Sequence, residues 1–153
     1  MSIKIFNEKE KKEIEKKLKD QFGIKKINGT FVQIGQERIF LFLGSLNEKE
    51  IKELETTIPI ERVGVYFAKI KDNEIRLSIE GTHLLKDQIN KNIFEINNEQ
   101  RDQWMHGSEL NITTGKKEFV IMKNNNDLLG TGKASAEKIT NFIPKSRRLK
   151  FKN

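Results

Sequence analysis

The chain contains no cysteine, only two prolines and only two histidines among its 153 residues. The absence of cysteine excludes disulfides, thiolate metal ligands and cysteine nucleophiles. His83 and His106 form neither an HxH nor an HxxxH pair, so we expect no metal site. No apolar run reaches the ~18 residues of a membrane-spanning helix, and the N-terminus has no apolar signal core. We therefore expect a cytoplasmic protein that does not enter a membrane.

The charge of the chain is unevenly distributed. Hydrophobic residues make up 35% and charged residues 33%, so the core must be modest. The formal net charge is +7, and residues 133–153 carry seven basic side chains against one acidic one. The first 132 residues carry 22 basic and 21 acidic side chains and are nearly neutral. The surplus charge is therefore a local property of the C-terminal segment.

This basic C-terminal segment contains the adjacent pair Arg147-Arg148. Nucleic-acid phosphates are the commonest partner for such a patch, because each neutralised phosphate releases counterions. The alternative is a solvated, disordered tail. Apolar residues at Ile143, Leu149 and Phe151 count against that alternative. Pro144 fixes its own φ angle and restricts Ile143 to extended geometry. We expect the segment to leave the last strand in a defined direction.

The N-terminal part of the chain alternates helical and strand patterns. Asn7 and Glu10 form a capping box at the start of a helix that ends at Gly23. Its apolar stripe consists of Ile14, Leu18 and Phe22. Strands are predicted over 30–34, 37–43, 63–70 and 74–79, with a second helix that starts at Asn47 and stops before Pro59. These elements predict a mixed α/β domain over residues 1–90.

The pattern changes after a short connecting helix predicted over 81–89. A helix over 98–106 ends at Gly107, and a tight turn is predicted over 124–127. Short strands are predicted over 92–96, 109–112, 119–122, 128–133 and 139–143. Several short strands at close spacing favour a small, partly closed β-barrel over residues 91–153. The predicted fold class is α+β.

Residues 92–152 resemble a PUA domain, the RNA-binding module of pseudouridine synthases and archaeosine transglycosylases. Two segments carry the resemblance: Trp104-Met105-His106-Gly107-Ser108-Glu109-Leu110, and the hairpin from Phe119 to Lys133 that returns through Gly130-Thr131-Gly132. The closing Ile143-Pro144-Lys145-Ser146-Arg147-Arg148 is similar to the PUA-like end of Sun-family RNA cytosine methyltransferases. The two-part layout resembles the pre-PUA plus PUA proteins of the Nip7-like group, which act in ribosome assembly.

The sequence offers little support for catalysis. A cytosine methyltransferase needs a cysteine nucleophile, and this chain has none. Gly130-Thr131-Gly132 lies between predicted strands, so it is typical of a close-packed strand and not of a cofactor loop. No serine has an evident base partner. We therefore expect no catalytic residues and no cofactor.

The candidate RNA-binding residues lie in the C-terminal part. Phosphates would be met by Lys133, Lys145, Arg147, Arg148 and Lys150. The Gly107-Ser108 turn would let the backbone approach RNA closely. Trp104, the only tryptophan, would either stack on a base or fill the end of the barrel.

These patterns favour a non-catalytic RNA-binding protein, an accessory factor in ribosome assembly or in rRNA or tRNA modification. A protein partner would bind through the N-terminal domain. Two alternatives stay open. One is a targeting subunit for a separate RNA-modification enzyme, and the other is an RNA-processing enzyme with an unrecognised site, which would show a cleft of perturbed carboxylates or a bound metal.

Overall fold

A computed structural model describes residues 3–43 and 64–150. The second helix predicted from Asn47 to before Pro59 lies outside these ranges. The first group of elements is β1 (Ile3–Ile5), α1 (Glu8–Phe22), β2 (Thr30–Ile34), β3 (Arg38–Phe42), β4 (Val65–Lys71) and β5 (Glu74–Leu77). The second group is α2 (Ile79–Leu84), β6 (Ile93–Glu95), α3 (Asn98–Met105), β7 (Phe119–Asn124), β8 (Asp127–Ala134), β9 (Ile139–Asn141) and a 3-10 turn (Lys145–Arg147).

Helix α1 forms as its sequence predicts. The Asn7 side chain accepts a hydrogen bond from the Glu10 amide at 2.8 Å, and Glu10 accepts one from the Asn7 amide at 3.1 Å. At the other end Gly23 adopts a left-handed backbone with φ 82°. The three buried residues of the helix are those of the predicted apolar stripe, Ile14, Leu18 and Phe22. Local sequence signals therefore determine both ends and the buried face.

The N-terminal sheet contains β1 to β5 in sequence order, with every neighbouring pair antiparallel. Strand β4 has an irregularity: Ile39 pairs with Ala68, whereas Phe40 pairs with Tyr66, so Phe67 is an extra residue in the ladder. Such a bulge shifts the alternation of side chains by one position. Phe67 and Ala68 are therefore both buried in the core under α1, and Tyr66 packs on the opposite face.

The second sheet has the order β6-β7-β8-β9. Strand β6 runs parallel to β7, and the other neighbours are antiparallel. The strand predicted over 109–112 is wrong: within this range the backbone pairs only at Leu110, in an isolated bridge to Ile139. The α+β class and its sheets are present, but the expected small barrel is not confirmed: the strands that the structure describes form a linear order without closure.

Two large apolar clusters hold the sheets together. One lies between α1 and the N-terminal sheet, and it also takes in Phe119, Ile121 and Leu128 from β7 and β8. The other surrounds Trp104 and contains Ile79 from α2. Each cluster therefore draws residues from both sides of position 90.

The corner between β5 and α2 is tightly built. Ser78 caps α2 by accepting a hydrogen bond from the Gly81 amide at 2.9 Å, and its hydroxyl donates to the Tyr66 carbonyl at 2.6 Å. The buried Thr131 hydroxyl of β8 donates to the Leu77 carbonyl at 3.0 Å. A Cβ on Gly81 would lie 2.4 Å from the Phe67 carbonyl oxygen. Only glycine fits there without a shift of the backbone.

This close approach predicts an inverted response to a helix-favouring substitution. Gly→Ala inside a helix normally stabilises by about 1 kcal/mol. We expect Gly81→Ala to lower the free energy of unfolding by about 1–3 kcal/mol instead, because the new methyl group overlaps a backbone oxygen. Urea denaturation monitored by circular dichroism measures the change, with the exposed Thr113→Ala as control. An unchanged or raised stability for Gly81→Ala would contradict the predicted overlap.

Candidate nucleic-acid interface

The basic C-terminal segment is held against the protein as far as Leu149. The Asn141 side-chain amide donates to the carbonyls of Trp104 at 2.8 Å and Ser108 at 3.0 Å. The Asn141 side-chain oxygen accepts from the Ile143 amide at 2.8 Å. The Leu149 amide donates to the Met105 carbonyl at 2.8 Å. The segment therefore follows a fixed path along the end of α3, as predicted, and is not a free tail up to this residue.

Arg148 contributes to this path through its own side chain. Its Nε donates to the Ile143 carbonyl at 2.9 Å, and its stem lies over Gly107, where an added Cβ would be 2.5 Å from the Arg148 Cδ. Gly107 has φ 97°. The Arg148 side chain therefore covers one side of this glycine, and the expected close approach of RNA to Gly107 stays a prediction. Ser108 remains exposed.

Trp104 is fully buried, with 0% of its surface exposed. Its indole Nε1 donates to the Leu129 carbonyl at 3.1 Å. A base has no access to a ring inside the core, so Trp104 is removed from the candidate RNA contacts. Of the two readings of this residue, packing in the core is the one that the structure shows.

Arg147 is the more exposed of the two adjacent arginines. Its guanidinium forms a 2.7 Å ion pair with Glu80 on α2, and 51% of its side chain is exposed. Lys145 and Lys150 are also exposed. Lys133 does not lie beside these residues. Its ammonium group is 3.3 Å from the Glu74 carboxylate and 4.2 Å from the centre of the Phe119 ring.

A groove of about 860 Å³ lies between the basic segment, the β5–α2 corner and the outer face of the N-terminal sheet. Of the predicted phosphate contacts, Lys145, Arg147 and Arg148 line it. The sheet side contributes three further cations, which are Arg38, Lys69 and Arg76. Among the described residues of the lining, Glu80 is the acidic one. Six basic residues against one acidic residue in this described part give the lining a net positive charge.

The three cations of the sheet form a row across neighbouring strands. Arg38 of β3 pairs with Lys69 of β4, and Lys69 pairs with Arg76 of β5. The bulge at Phe67 places Lys69 on the face away from α1, together with Tyr66. Sequence reasoning missed this row because strict alternation assigns Lys69 to the same face as Phe67. Predicting the row would have required the register between β3, β4 and β5, which includes the bulge.

Aromatic rings lie beside these cations. The Arg76 guanidinium stacks 4.3 Å from the centre of the Phe142 ring. Tyr66 contacts Phe40, with ring centroids 5.7 Å apart. Burial raises the pKa of the Tyr66 phenol above its usual value, against the opposing charges of Arg76 and Arg38. The phenol is thus neutral at physiological pH, so it adds no negative charge to the groove.

Comparison with known protein families finds a similarity between the C-terminal part of the chain and a PUA domain. Residues 91–149 match the family model for the PUA domain of the methyltransferase RsmF. A search of curated proteins found no match to the chain. No helix within residues 3–43 and 64–150 is long and apolar enough to cross a membrane.

The burial of Trp104 predicts that its fluorescence is shielded in the folded protein. Because it is the only tryptophan, emission reports on this one ring. We expect weak quenching by acrylamide or iodide, and no further protection when RNA is added. Quenching measured before and after urea denaturation gives the reference for an accessible indole. Strong quenching in the native state, or protection by RNA, would return Trp104 to the binding surface.

The adjacent arginines should differ in their effect on stability. We expect Arg148→Ala to lower the free energy of unfolding by about 1–2 kcal/mol, since it removes a charged hydrogen bond and the stem that covers Gly107. Arg147→Ala should change it by less than about 1 kcal/mol, because exposed ion pairs contribute little. Urea titrations of the two variants test the difference. Equal losses would contradict the assignment of Arg148 to a structural role.

Proposed function

We propose that the protein is a non-catalytic RNA-binding protein in which the basic C-terminal segment contacts RNA phosphates. Lys145 and Arg147 are the primary contacts, and Lys150 extends the same basic stretch. Arg148 supports the segment and adds charge to the groove. The match of residues 91–149 to a PUA domain supports RNA as the ligand.

One observation carries the proposal: the exposed cations of the segment stand on a backbone fixed by hydrogen bonds to the end of α3. The Leu149 amide bonds to Met105, and Asn141 bonds to Trp104 and Ser108. A cation in a fixed position loses less entropy when it contacts a phosphate than one on a free tail. Arg147 is also paired with a single partly exposed carboxylate, Glu80, which a phosphate can replace.

Within this function, the protein would serve as a cytoplasmic accessory factor in ribosome assembly or in rRNA or tRNA modification. The similarity of residues 91–149 to a domain of a methyltransferase favours work alongside an RNA-modification enzyme. The PUA part would hold the RNA, and the N-terminal domain, residues 1–90, would offer a surface to a protein partner. In the closest alternative, the chain is the targeting subunit of such an enzyme.

Binding should depend strongly on salt. If about five cations reach phosphates, the slope of log affinity against log salt is about −3 to −4 for single-stranded RNA. Fluorescence anisotropy with labelled rRNA or tRNA fragments, over a salt series around physiological ionic strength, measures this slope. A slope near zero would refute electrostatic RNA binding.

A matched pair of double variants separates a positioned site from diffuse attraction. Lys145→Ala with Arg147→Ala removes two charges from the groove, and Lys12→Ala with Lys16→Ala removes two exposed charges from α1, beneath the opposite face of the sheet. We expect the first variant to bind more weakly and to lose about 1.4 units of salt slope, and the second to bind almost normally. Circular dichroism verifies folding. Equal losses of RNA affinity in the two double variants would show that only non-specific electrostatic attraction binds the RNA.

A further inference from the structure

We infer that the groove between the N-terminal sheet and the basic segment binds an unpaired stretch of RNA, with phosphates on the row Arg38-Lys69-Arg76 and a base against Tyr66. This inference rests on the proposed RNA binding and extends the contact surface beyond the residues that match a PUA domain. It assigns a binding role to the outer face of the N-terminal sheet.

The size of the groove favours an unpaired segment over a duplex. Its volume of about 860 Å³ falls within the range of about 300–1,000 Å³ that is typical for pockets enclosing small organic ligands. One or two nucleotides are ligands of that size, whereas a double helix presents a convex surface many times larger. Unpaired RNA is also the form in which bases are free to leave the stack and meet protein side chains.

The row of cations lies along one wall of this groove. Neighbouring strands are about 4.8 Å apart, so the register places the Cα atoms of the three basic residues at regular steps across the sheet. Arg38 is exposed, and Lys69 is paired at 3.2 Å with Glu37, which is itself partly exposed. A surface ion pair of this kind is readily exchanged for a phosphate. The stacking of Arg76 on Phe142 holds the third cation in position.

Tyr66 provides the surface for a base. Its ring is partly buried against Phe40, lines the groove and shares the sheet face with the cationic row. Single-strand binding sites combine such an aromatic surface with a basic track for the backbone, and one stacked base contributes about 1–3 kcal/mol. Since the phenol stays neutral, it does not repel the phosphates that the neighbouring cations attract.

The opposite wall of the groove belongs to the basic segment, which supplies Lys145 and Arg147. A strand between the two walls would meet cations on both sides and an aromatic ring on the sheet side. An acidic peptide would satisfy the cations but would make no use of the ring as a stacking surface. The combination of both features is the reason to assign RNA as the ligand.

The experiment compares a labelled single-stranded RNA with a hairpin duplex of the same length, by anisotropy at one moderate salt concentration. For the full chain we expect tighter binding of the single strand. Arg38→Ala with Lys69→Ala should weaken single-strand binding about tenfold, whereas Lys12→Ala with Lys16→Ala should leave it nearly unchanged. Arg38, Lys12 and Lys16 are exposed and Lys69 is partly exposed, so both of these double variants should fold normally. Circular dichroism verifies this.

Substitutions of Tyr66 test the stacking surface separately. Tyr66→Leu should weaken single-strand binding about tenfold and duplex binding little, and Tyr66→Phe should restore the single-strand affinity because it keeps the ring. Equal single-strand affinities for Leu and Phe, both folded, would overturn the assignment of a base to this position. Polyglutamate is the competitor that tests for an acidic protein segment. Displacement of RNA by polyglutamate at equal charge concentration would also overturn the inference.

The outcomes distinguish this inference from the proposed function. If Lys145→Ala with Arg147→Ala weakens RNA binding and Arg38→Ala with Lys69→Ala does not, the RNA-binding function stands and the sheet wall is excluded. Failure of the unmodified protein to bind any RNA would refute both. The groove uses both walls if single-strand binding is lost in the two double variants of the groove and is retained in the α1 control, Lys12→Ala with Lys16→Ala.

Discussion

The contact of β8 with the corner between β5 and α2 determines how the two sheets meet. The buried Thr131 hydroxyl bonds to the Leu77 carbonyl, and Ile79 at the start of α2 joins the apolar cluster around Trp104. A buried hydroxyl needs such a partner, since an unsatisfied one costs about 1–3 kcal/mol. With the corner fixed, the chain beyond β9 runs opposite the outer face of the N-terminal sheet. The groove exists because of that alignment.

Two adjacent arginines perform different tasks in this arrangement. Arg148 turns back to bond the Ile143 carbonyl and cover Gly107, while Arg147 extends towards Glu80 in the groove. Charge counts along the sequence treat both residues as equal. The geometry shows that one cation shapes the segment and the other is available at its surface. A basic cluster is therefore a composite of structural and ligand-binding positions, which only the local contacts separate.

Local signals in the sequence predicted local structure well. The capping box of Asn7 and Glu10 and the helix end at Gly23 depend on neighbouring residues alone, and both form as expected. The cationic row was not predictable, because it depends on a cross-strand register that the bulge at Phe67 shifts. The covering of Gly107 by Arg148 depends on a tertiary turn that no periodicity encodes. The basic segment could be recognised as a candidate site, but its partner wall could not.

The apolar cluster beneath α1 has a consequence for how the chain folds. Phe22 at the end of α1 and Phe119 at the start of β7 belong to one buried cluster although they lie far apart in sequence. Hairpins such as β2–β3 and β7–β8 close short loops and can form early, whereas this cluster requires a large loop to close first. High contact order of this kind slows folding. During synthesis, the N-terminal half emerges with part of its core unfilled until β7 and β8 arrive.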